Sequence, residues 1–129
     1  MSNWSYIFAR NRSENLPLNF IPPLSGLNEL HYEIAEWKEW RNLAVSLNHR
    51  FSASQWDWDP SIDLAPPPDG YHLWSLSLSG TFKGWKNEPK IRVGIENMMN
   101  TTYRDYLNRQ RYFSDALGRN ITLGWLQYF

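Results

Sequence analysis

Residues 118–129, which read GRNITLGWLQYF, alternate apolar and polar side chains up to the last residue of the sequence. One face of this stretch carries Ile121, Leu123, Trp125, Gln127 and Phe129. The other face carries Asn120, Thr122, Gly124, Leu126 and Tyr128. A period of two is typical of a β-strand with one apolar face. We therefore predict a strand over residues 120–129.

Five further stretches show the same alternation. They are WSYIFAR (4–10), ELHYEIAEW (29–37), LAVSLNHRFS (43–52), LWSLSLSGTF (73–82) and KIRVGIEN (90–97). The first is only a partial strand. The second also fits an amphipathic helix through Leu27, Leu30, Ile34 and Trp37. The sequence thus predicts one all-β domain over 1–129, with five to six strands.

The connections between these stretches alternate strictly between short and long. The short ones are KEWRN (38–42) and KGWKNEP (83–89). The long ones are residues 11–26, 54–70 and 98–119. Short turns at one end and long loops at the other are typical of an antiparallel up-and-down transmembrane β-barrel. In such a barrel, Asn97 and Asn100 would cap backbone groups where a strand ends, and Tyr103, Tyr106, Tyr112 and Phe113 would pack the last loop on the rim.

The two faces of the predicted strands favour the same interpretation. Ser75, Ser77 and Ser79 form a row of small polar residues that suits the lumen of a barrel better than the charged outer face of a soluble sandwich. Aromatic residues gather at both strand ends, as in the girdles of membrane barrels. The short-turn end has Trp37, Trp40, Trp85, Tyr128 and Phe129, and the opposite end has Trp56, Trp58, Tyr71 and Trp74.

Composition excludes several other classes of protein. The 13 basic and 13 acidic residues balance, so no overall charge attracts the chain to nucleic acid. There is no cysteine, which excludes disulfides and thiolate metal sites. Eight Trp, seven Tyr and six Phe occur without any apolar run near the ~20 residues of a spanning helix. The N-terminus has no signal-peptide pattern, so we expect any targeting signal to lie upstream or to be absent.

No motif indicates an enzyme or a cofactor. Asp57, Asp59, Asp63, Asp69 and His72 could suggest a cation site, but their spacing is irregular and prolines hold the segment extended, so we expect an exposed loop. His31 and His49 lack partner motifs for a metal site. Three arginines among tyrosines in the last loop, Arg104, Arg109 and Arg111, are candidates for binding an anionic ligand such as a siderophore or a phosphate.

The C-terminal third resembles the TonB-dependent outer-membrane receptors. IENMMNTTYRDYL (95–107) is similar to a recurring segment of that family, and GRNITL (118–123) is similar to the entry of its last strand. ENLPLNFIPP (14–23) and LAPPPDGYHLWSLSLS (64–79) are similar to loops before other late strands, so the resemblance extends over the whole chain and is most specific over 91–129. Ile121, Leu123, Trp125 and Phe129 resemble the C-terminal signal read by the outer-membrane assembly machinery, from which Gln127 departs.

The resemblance implies a fragment of a 22-stranded receptor for active uptake of a scarce nutrient such as an iron–siderophore complex. Its partners would be the remaining barrel and plug, the TonB energy-transducing complex, lipid and lipopolysaccharide, all at the bacterial outer membrane. Five or six strands are below the roughly eight of the smallest barrels, so we expect no transport by this chain alone. Two alternatives remain: a soluble aromatic-rich β-sandwich that binds a ligand or carbohydrate through Trp56, Trp58 and Trp74, and a small barrel assembled from several copies.

Overall fold

The computed structural model describes residues 1–127, and over this range the chain forms one antiparallel sheet. The six strands are β1 (Ser2–Ser5), β2 (Ser25–Trp37), β3 (Trp40–Ser52), β4 (Tyr71–Phe82), β5 (Lys90–Glu96) and β6 (Asn120–Leu126). They lie side by side in sequence order, β1 to β6. The prediction of an all-β, up-and-down antiparallel fold is confirmed. The sheet is open, with β1 and β6 at its edges, and is not closed into a barrel.

The ambiguous stretch 29–37 is a strand, and the helical interpretation is wrong. β2 pairs along its length with β3, from Ser25 opposite Ser52 to Trp37 opposite Trp40. The turn between them is only Lys38 and Glu39, with Lys38 at φ 54°, so three residues predicted as turn, 40–42, begin β3. Pairing with a neighbouring strand satisfies the backbone groups that a helix would have bonded internally.

β1 is shorter than the predicted strand over residues 4–10, and it begins two residues nearer the N-terminus. It pairs with β2 only from Ser2 opposite Asn28 to Ser5 opposite Ser25. A 13-residue β2 is therefore covered by a four-residue β1, and most of the outer edge of β2 has no neighbour within residues 1–127.

The three long connections lie at one end of the sheet and the two short ones at the other. A 3₁₀ helix, Arg109–Tyr112, is the regular element of the last long loop. At the start of that loop, Asn97 (φ 47°) accepts a hydrogen bond from the Thr101 N–H at 2.9 Å, and Asn100 (φ 54°) accepts one from the Arg119 N–H at 2.9 Å. The predicted capping by these two asparagines is confirmed.

Candidate functional site

The apolar face of the sheet carries a row of aromatic rings at its short-turn end. Trp40 lies 5.1 Å from Phe82, Phe82 lies 5.7 Å from Trp85, and Trp85 lies 5.1 Å from Trp125, all between ring centroids. Trp40 is directly opposite Phe82 in the β3–β4 register. We call Trp40, Phe82, Trp85 and Trp125 the turn-end row. The gathering of Trp40 and Trp85 there agrees with the sequence prediction, whereas Tyr128 and Phe129 lie outside the described residues.

A second row lies at the loop end of the same face. Its members, the loop-end row, are Trp4, His49, Phe51, His72 and Trp74. Trp4 packs edge-on against Phe51 with centroids 5.5 Å apart, and His49 stacks on Trp74 at 4.3 Å. Only Trp74 of the aromatic residues predicted at this end belongs to the row. Tyr71 faces the opposite side, and Trp56 is in the exposed part of a loop.

Aliphatic side chains fill the space between the two rows, and they are largely exposed. Leu30 and Leu123 are 69% and 78% exposed, and Leu78 and Val93 are exposed as well. Trp74 and Phe82 are eight residues apart on β4, about 26 Å along the strand and about 20 Å after a tilt of ~40°. This height is close to the ~25 Å apolar band of outer-membrane barrels.

The opposite face is polar. The register places Ser77 between Ser46 and Gly94, and Ser79 opposite Arg92, so the serine row continues into neighbouring strands. His31 lies on this face, where its ring bonds the Ser46 hydroxyl at 2.6 Å and the Glu33 carboxylate at 2.9 Å. The two faces therefore differ in chemistry over the middle of the sheet, as the alternation predicted.

Most of the buried residues lie at the loop end of the molecule, in the long loops and at the start of β4. The buried hydrophobic side chains at this end are Tyr71 and Leu73 of β4 and Tyr106 of the last loop. Buried polar residues accompany them: Gln55, Asp59, Asp63, Asn97 and Arg111. We call this assembly of residues 6–24, 53–70 and 97–119 the loop cluster.

The centre of the loop cluster is an ion pair between the second and third long loops. Arg111 donates from Nη2 to both carboxylate oxygens of Asp63, at 2.7 and 2.5 Å, and the Tyr112 hydroxyl donates to Asp63 at 2.6 Å. The guanidinium lies 4.9 Å from the centre of the Tyr106 ring and 4.4 Å from that of Tyr112. Burial opposes the charge of Asp63, but the Tyr112 hydroxyl and the Arg111 charge outweigh burial and lower its pKa.

Asp59 joins the first loop to the second. Its backbone N–H donates to the Asn19 side chain at 3.1 Å, and its carboxylate accepts from the backbone and hydroxyl of Ser61 at 2.8 and 2.7 Å. The bonds from Ser61 lower the pKa of Asp59. The expectation of an exposed acidic loop is therefore wrong for Asp59 and Asp63, which are both buried. Arg111 of the last loop compensates the charge of Asp63, and the carboxylate of Asp59 is bonded by Ser61 of its own loop.

The three arginines proposed as ligand contacts have different surroundings. Arg111 is 4% exposed and bound to Asp63. Arg104 bonds Asp115 at 2.5 Å and the Arg111 carbonyl at 2.9 Å. Arg109 is exposed and has no ion-pair partner in the part of the chain that the structure describes. Only Arg109 thus has a guanidinium free for an external anion.

The remaining predictions for the last loop are mixed. The Tyr103 ring contacts the Tyr71 ring with centroids 4.5 Å apart, and Tyr106 is buried beside Phe20, so both pack the loop on the rim. Phe113 is 86% exposed, so its predicted packing is wrong. It follows the 3₁₀ helix, which directs Arg111 and Tyr112 inward and leaves the next side chain outside.

Sequence reasoning missed the contact between His49 and His72. The imidazoles meet at 3.0 Å, between His49 Nε2 and His72 Nδ1, across the β3–β4 pairing. The two residues are 23 positions apart, and only the strand register, which places His49 opposite Trp74 and Phe51 opposite His72, indicates that they are neighbours. Within residues 1–127, no group of three or more His, Asp or Glu side chains forms a candidate metal site.

Ile121, Leu123 and Trp125 lie on one face of β6, and Phe129 lies outside the described residues. Their role as an assembly signal stays a prediction. No helix within residues 1–127 is long and apolar enough to cross a membrane. Comparison of the sequence with protein-family models, with curated proteins and with solved structures gave no match.

Proposed function

We propose that the six strands form part of the wall of a larger β-barrel in a bacterial outer membrane. The apolar face would contact lipid and the polar face would line the interior. The observation that carries this proposal is the exposed aliphatic band between two aromatic rows on one face of the sheet. In water, such a face would leave a large apolar area uncovered, which soluble monomers rarely do.

The open edges of the sheet support a barrel that is larger than this domain. β1 covers only Ser25–Asn28 of β2, so the groups of residues 30–37 that point outward lack a neighbouring strand in the described chain. Each unpaired backbone group in hydrocarbon costs several kcal/mol. Further strands paired with both edges would therefore stabilise the sheet in a membrane.

The receptor type rests on the sequence resemblance over 91–129. We propose that the parent barrel is a TonB-dependent receptor that takes up a scarce nutrient such as an iron–siderophore complex, with its long loops outside. Its plug and the TonB complex would supply gating and energy, and the six strands alone would not transport. The loop cluster, joined by Arg111, Asp63 and Asp59, would give the outer surface a fixed shape for ligand contact.

The alternative of a soluble, ligand-binding β-sandwich has less support. A sandwich needs a second sheet packed on the apolar face, and residues 1–127 form one sheet. Trp74 stacks on His49, and no ring contact within the described residues joins it to Trp56 or Trp58 as a platform.

A matched pair of arginine substitutions tests the lipid-facing assignment. Leu78 lies midway between the two aromatic rows on the apolar face, and its neighbour Ser77 lies on the polar face. The purified chain would be mixed with vesicles whose acyl chains carry bromine, which quenches tryptophan fluorescence at membrane depth. We expect Leu78→Arg to weaken insertion by about 2–4 kcal/mol and Ser77→Arg to have little effect.

Two results would contradict the proposal. One is equal behaviour of the Leu78→Arg and Ser77→Arg variants. The other is a native chain that stays compact and monomeric in plain buffer, with its tryptophans shielded and no quenching by the brominated vesicles.

A further inference from the structure

A continuous chain of side-chain hydrogen bonds crosses four strands at the loop end of the apolar face. Trp4 Nε1 is 3.2 Å from Asn28 Oδ1, Asn28 Nδ2 is 3.3 Å from His49 Nδ1, and His49 Nε2 is 3.0 Å from His72 Nδ1. The four residues come from β1, β2, β3 and β4 in order. Nothing in the proposed function uses this chain, because its bonds lie within the sheet.

The chemistry of the donors fixes every proton in the chain. An indole N–H can only donate, so Trp4 requires the oxygen of Asn28 as its acceptor. The amide NH₂ of Asn28 then faces His49, so Nδ1 of His49 must be the unprotonated acceptor. His49 therefore carries its proton on Nε2 and donates it to Nδ1 of His72. All three bonds of this arrangement need both imidazoles to be neutral.

A shared proton explains the His49–His72 contact better than a metal ion. The 3.0 Å between nitrogens is a normal hydrogen-bond distance. Within the described residues no third ligand accompanies the two histidines. The two histidines therefore form a hydrogen-bonded pair and do not have the ligands of a metal centre.

The surroundings of the pair contain few charges that could compensate a cation. Its ring contacts are with Phe51 of β3 and Trp74 of β4. The charged side chains on adjacent positions are Glu29 and Arg50, which alternate to the opposite face, where Arg50 bonds Asp105 and the Tyr71 hydroxyl. From the loop after β5, the Thr101 hydroxyl donates to the His72 carbonyl at 3.4 Å.

From this geometry we infer that the relay is a proton-operated latch that holds β1 to the sheet. A first proton on His49 Nδ1 turns that atom into a donor facing the Asn28 NH₂. The amide must then rotate to present its oxygen to His49, and Trp4 loses its acceptor. A second proton, on His72 Nδ1, places two N–H groups against each other and opens the His49–His72 contact. Acidification that protonates the pair therefore releases β1 first.

β1 is suited to such release. It is the shortest strand, with four residues paired to β2, and it has no partner on its other side within residues 1–127. Losing one hydrogen bond of ordinary net strength shifts an opening equilibrium by about five-fold. The centre of β4, paired on both sides, does not depend on the latch.

Hydrogen exchange of the full chain in detergent micelles tests the latch. The protection of residues 2–5, corrected for the intrinsic pH dependence of exchange, is measured at pH 8 and pH 5 together with that of residues 75–79. The indole N–H signal of Trp4, assigned by its loss in Trp4→Phe, reports the end of the relay directly. We expect protection of β1 to fall about five-fold or more and the Trp4 signal to shift, while β4 stays unchanged.

Three histidine variants distinguish the latch from a general effect of acid. His49→Asn should remove the pH dependence at β1, and His72→Asn should keep the first step. His31→Asn, on the polar face, should behave as the native chain. A Trp4 indole signal that does not change between pH 8 and 5 would overturn the latch, and so would a β1 that is already unprotected at pH 8. Loss of β4 protection together with that of β1, or a pH dependence of β1 that survives in His49→Asn, would also overturn it.

Discussion

The sheet and the loop cluster differ in which side chains they expose to solvent. On the sheet, Leu30 and Leu123 are mostly exposed, whereas in the loops Asp63 and Arg111 are buried. In a water-soluble domain the arrangement would be reversed, with the strands covering a hydrophobic core and the charges outside. The apolar face of the sheet thus has no covering layer within residues 1–127, whereas the buried charges of Asp63 and Arg111 in the loop cluster bond each other.

This contrast separates what holds each region together. Burial of apolar area can stabilise the sheet only when lipid or another layer covers its outer face. The loop cluster is held by direct bonds between loops, such as Arg111 to Asp63 and Asn19 to Asp59. We thus expect the loop cluster to be destabilised most by substitutions that remove a polar or charged partner. The sheet should be destabilised most by substitutions that change the size of a side chain on its apolar face.

The largest expected effect is the loss of the buried charge pair in the loop cluster. Asp63→Asn leaves the Arg111 guanidinium buried without an anion, which typically costs about 3–5 kcal/mol. We expect residues 55–66 and 103–113 to lose protection from hydrogen exchange in micelles. Residues 75–79 of β4 should keep theirs, because the two regions are stabilised separately.

A surface pair and a double variant are the controls. Arg104→Gln removes an ion pair with Asp115 in which both side chains are nearly half exposed, so we expect about 1 kcal/mol or less. Replacing both members of the buried pair, Asp63→Leu with Arg111→Met, should recover most of the loss. An Asp63→Asn variant as well protected as the native chain would show that the pair does not hold the loops.

A change of shape on the sheet ranks second. A Cβ atom at Gly26 would lie 2.6 Å from the ring of Phe51 and 2.8 Å from that of Trp4, so Gly26→Ala displaces two rings of the loop-end row. We expect a cost of about 1–3 kcal/mol, measured by denaturant unfolding in micelles. Gly124→Ala is the matched control, because its Cβ would meet only ordinary contacts, the nearest at 3.6 Å from Arg92. Equal losses of stability in the two alanine variants would show that the loop-end row does not depend on the absence of a side chain at Gly26.

The strands could be predicted from the sequence because alternation is a local property. β4 follows its predicted range closely, and the polar serine face is where it was expected. β6 covers residues 120–126 of the predicted 120–129, and the last two of these residues lie outside the described range. The short β1 was overestimated, since residues 6–9 alternate in composition but have no neighbouring strand to pair with. The alternation in the sequence thus predicts that a strand exists, whereas the length of the strand depends on the strand that pairs with it.

The loop cluster could not be predicted, because its contacts join residues far apart in sequence. Asp63 and Arg111 are separated by 48 positions and Asn19 and Asp59 by 40. No periodicity connects such pairs, so the acidic loop was expected to be exposed. The His49–His72 contact escaped for the same reason, although the strand register would have indicated it.

The pH dependence of the two regions should differ, and this difference is the third prediction. The pKa of Asp63 is lowered in the folded chain, so its contribution is complete above the unfolded value near ~3.9 and is lost as pH falls through the folded value. The pKa of Tyr112 is raised by its bond to Asp63 and by burial, so its contribution is present below ~10 and is lost as pH rises further. We expect the loop cluster to be unchanged between about pH 5 and 9. Acidification to pH 5 should therefore act on the histidine latch without acting on the loops.

Tyr112→Phe tests the acid side of this prediction. It removes the 2.6 Å bond to Asp63 and should destabilise the loops by about 1.5–3 kcal/mol near neutral pH, as expected for a hydrogen bond to a charged group. The acid transition of the loops, followed by hydrogen exchange against pH, should then begin at a higher pH. A transition that does not move would show that Asp63 is not the group that titrates.

The smallest effect on stability is expected for Arg109, whose guanidinium is exposed and forms no ion pair within residues 1–127. Arg109→Ala should leave unfolding within about 0.5 kcal/mol of the native chain. If the loops contact an anionic ligand, this arginine is the one able to bind it, because Arg104 and Arg111 already bond Asp115 and Asp63. Binding of a ferric catecholate siderophore to the loop-bearing chain, measured by tryptophan quenching, should therefore weaken in Arg109→Ala and stay unchanged in Arg12→Ala, a second exposed arginine on the first loop. Equal binding by both variants would show that Arg109 of the last loop does not contact the ligand.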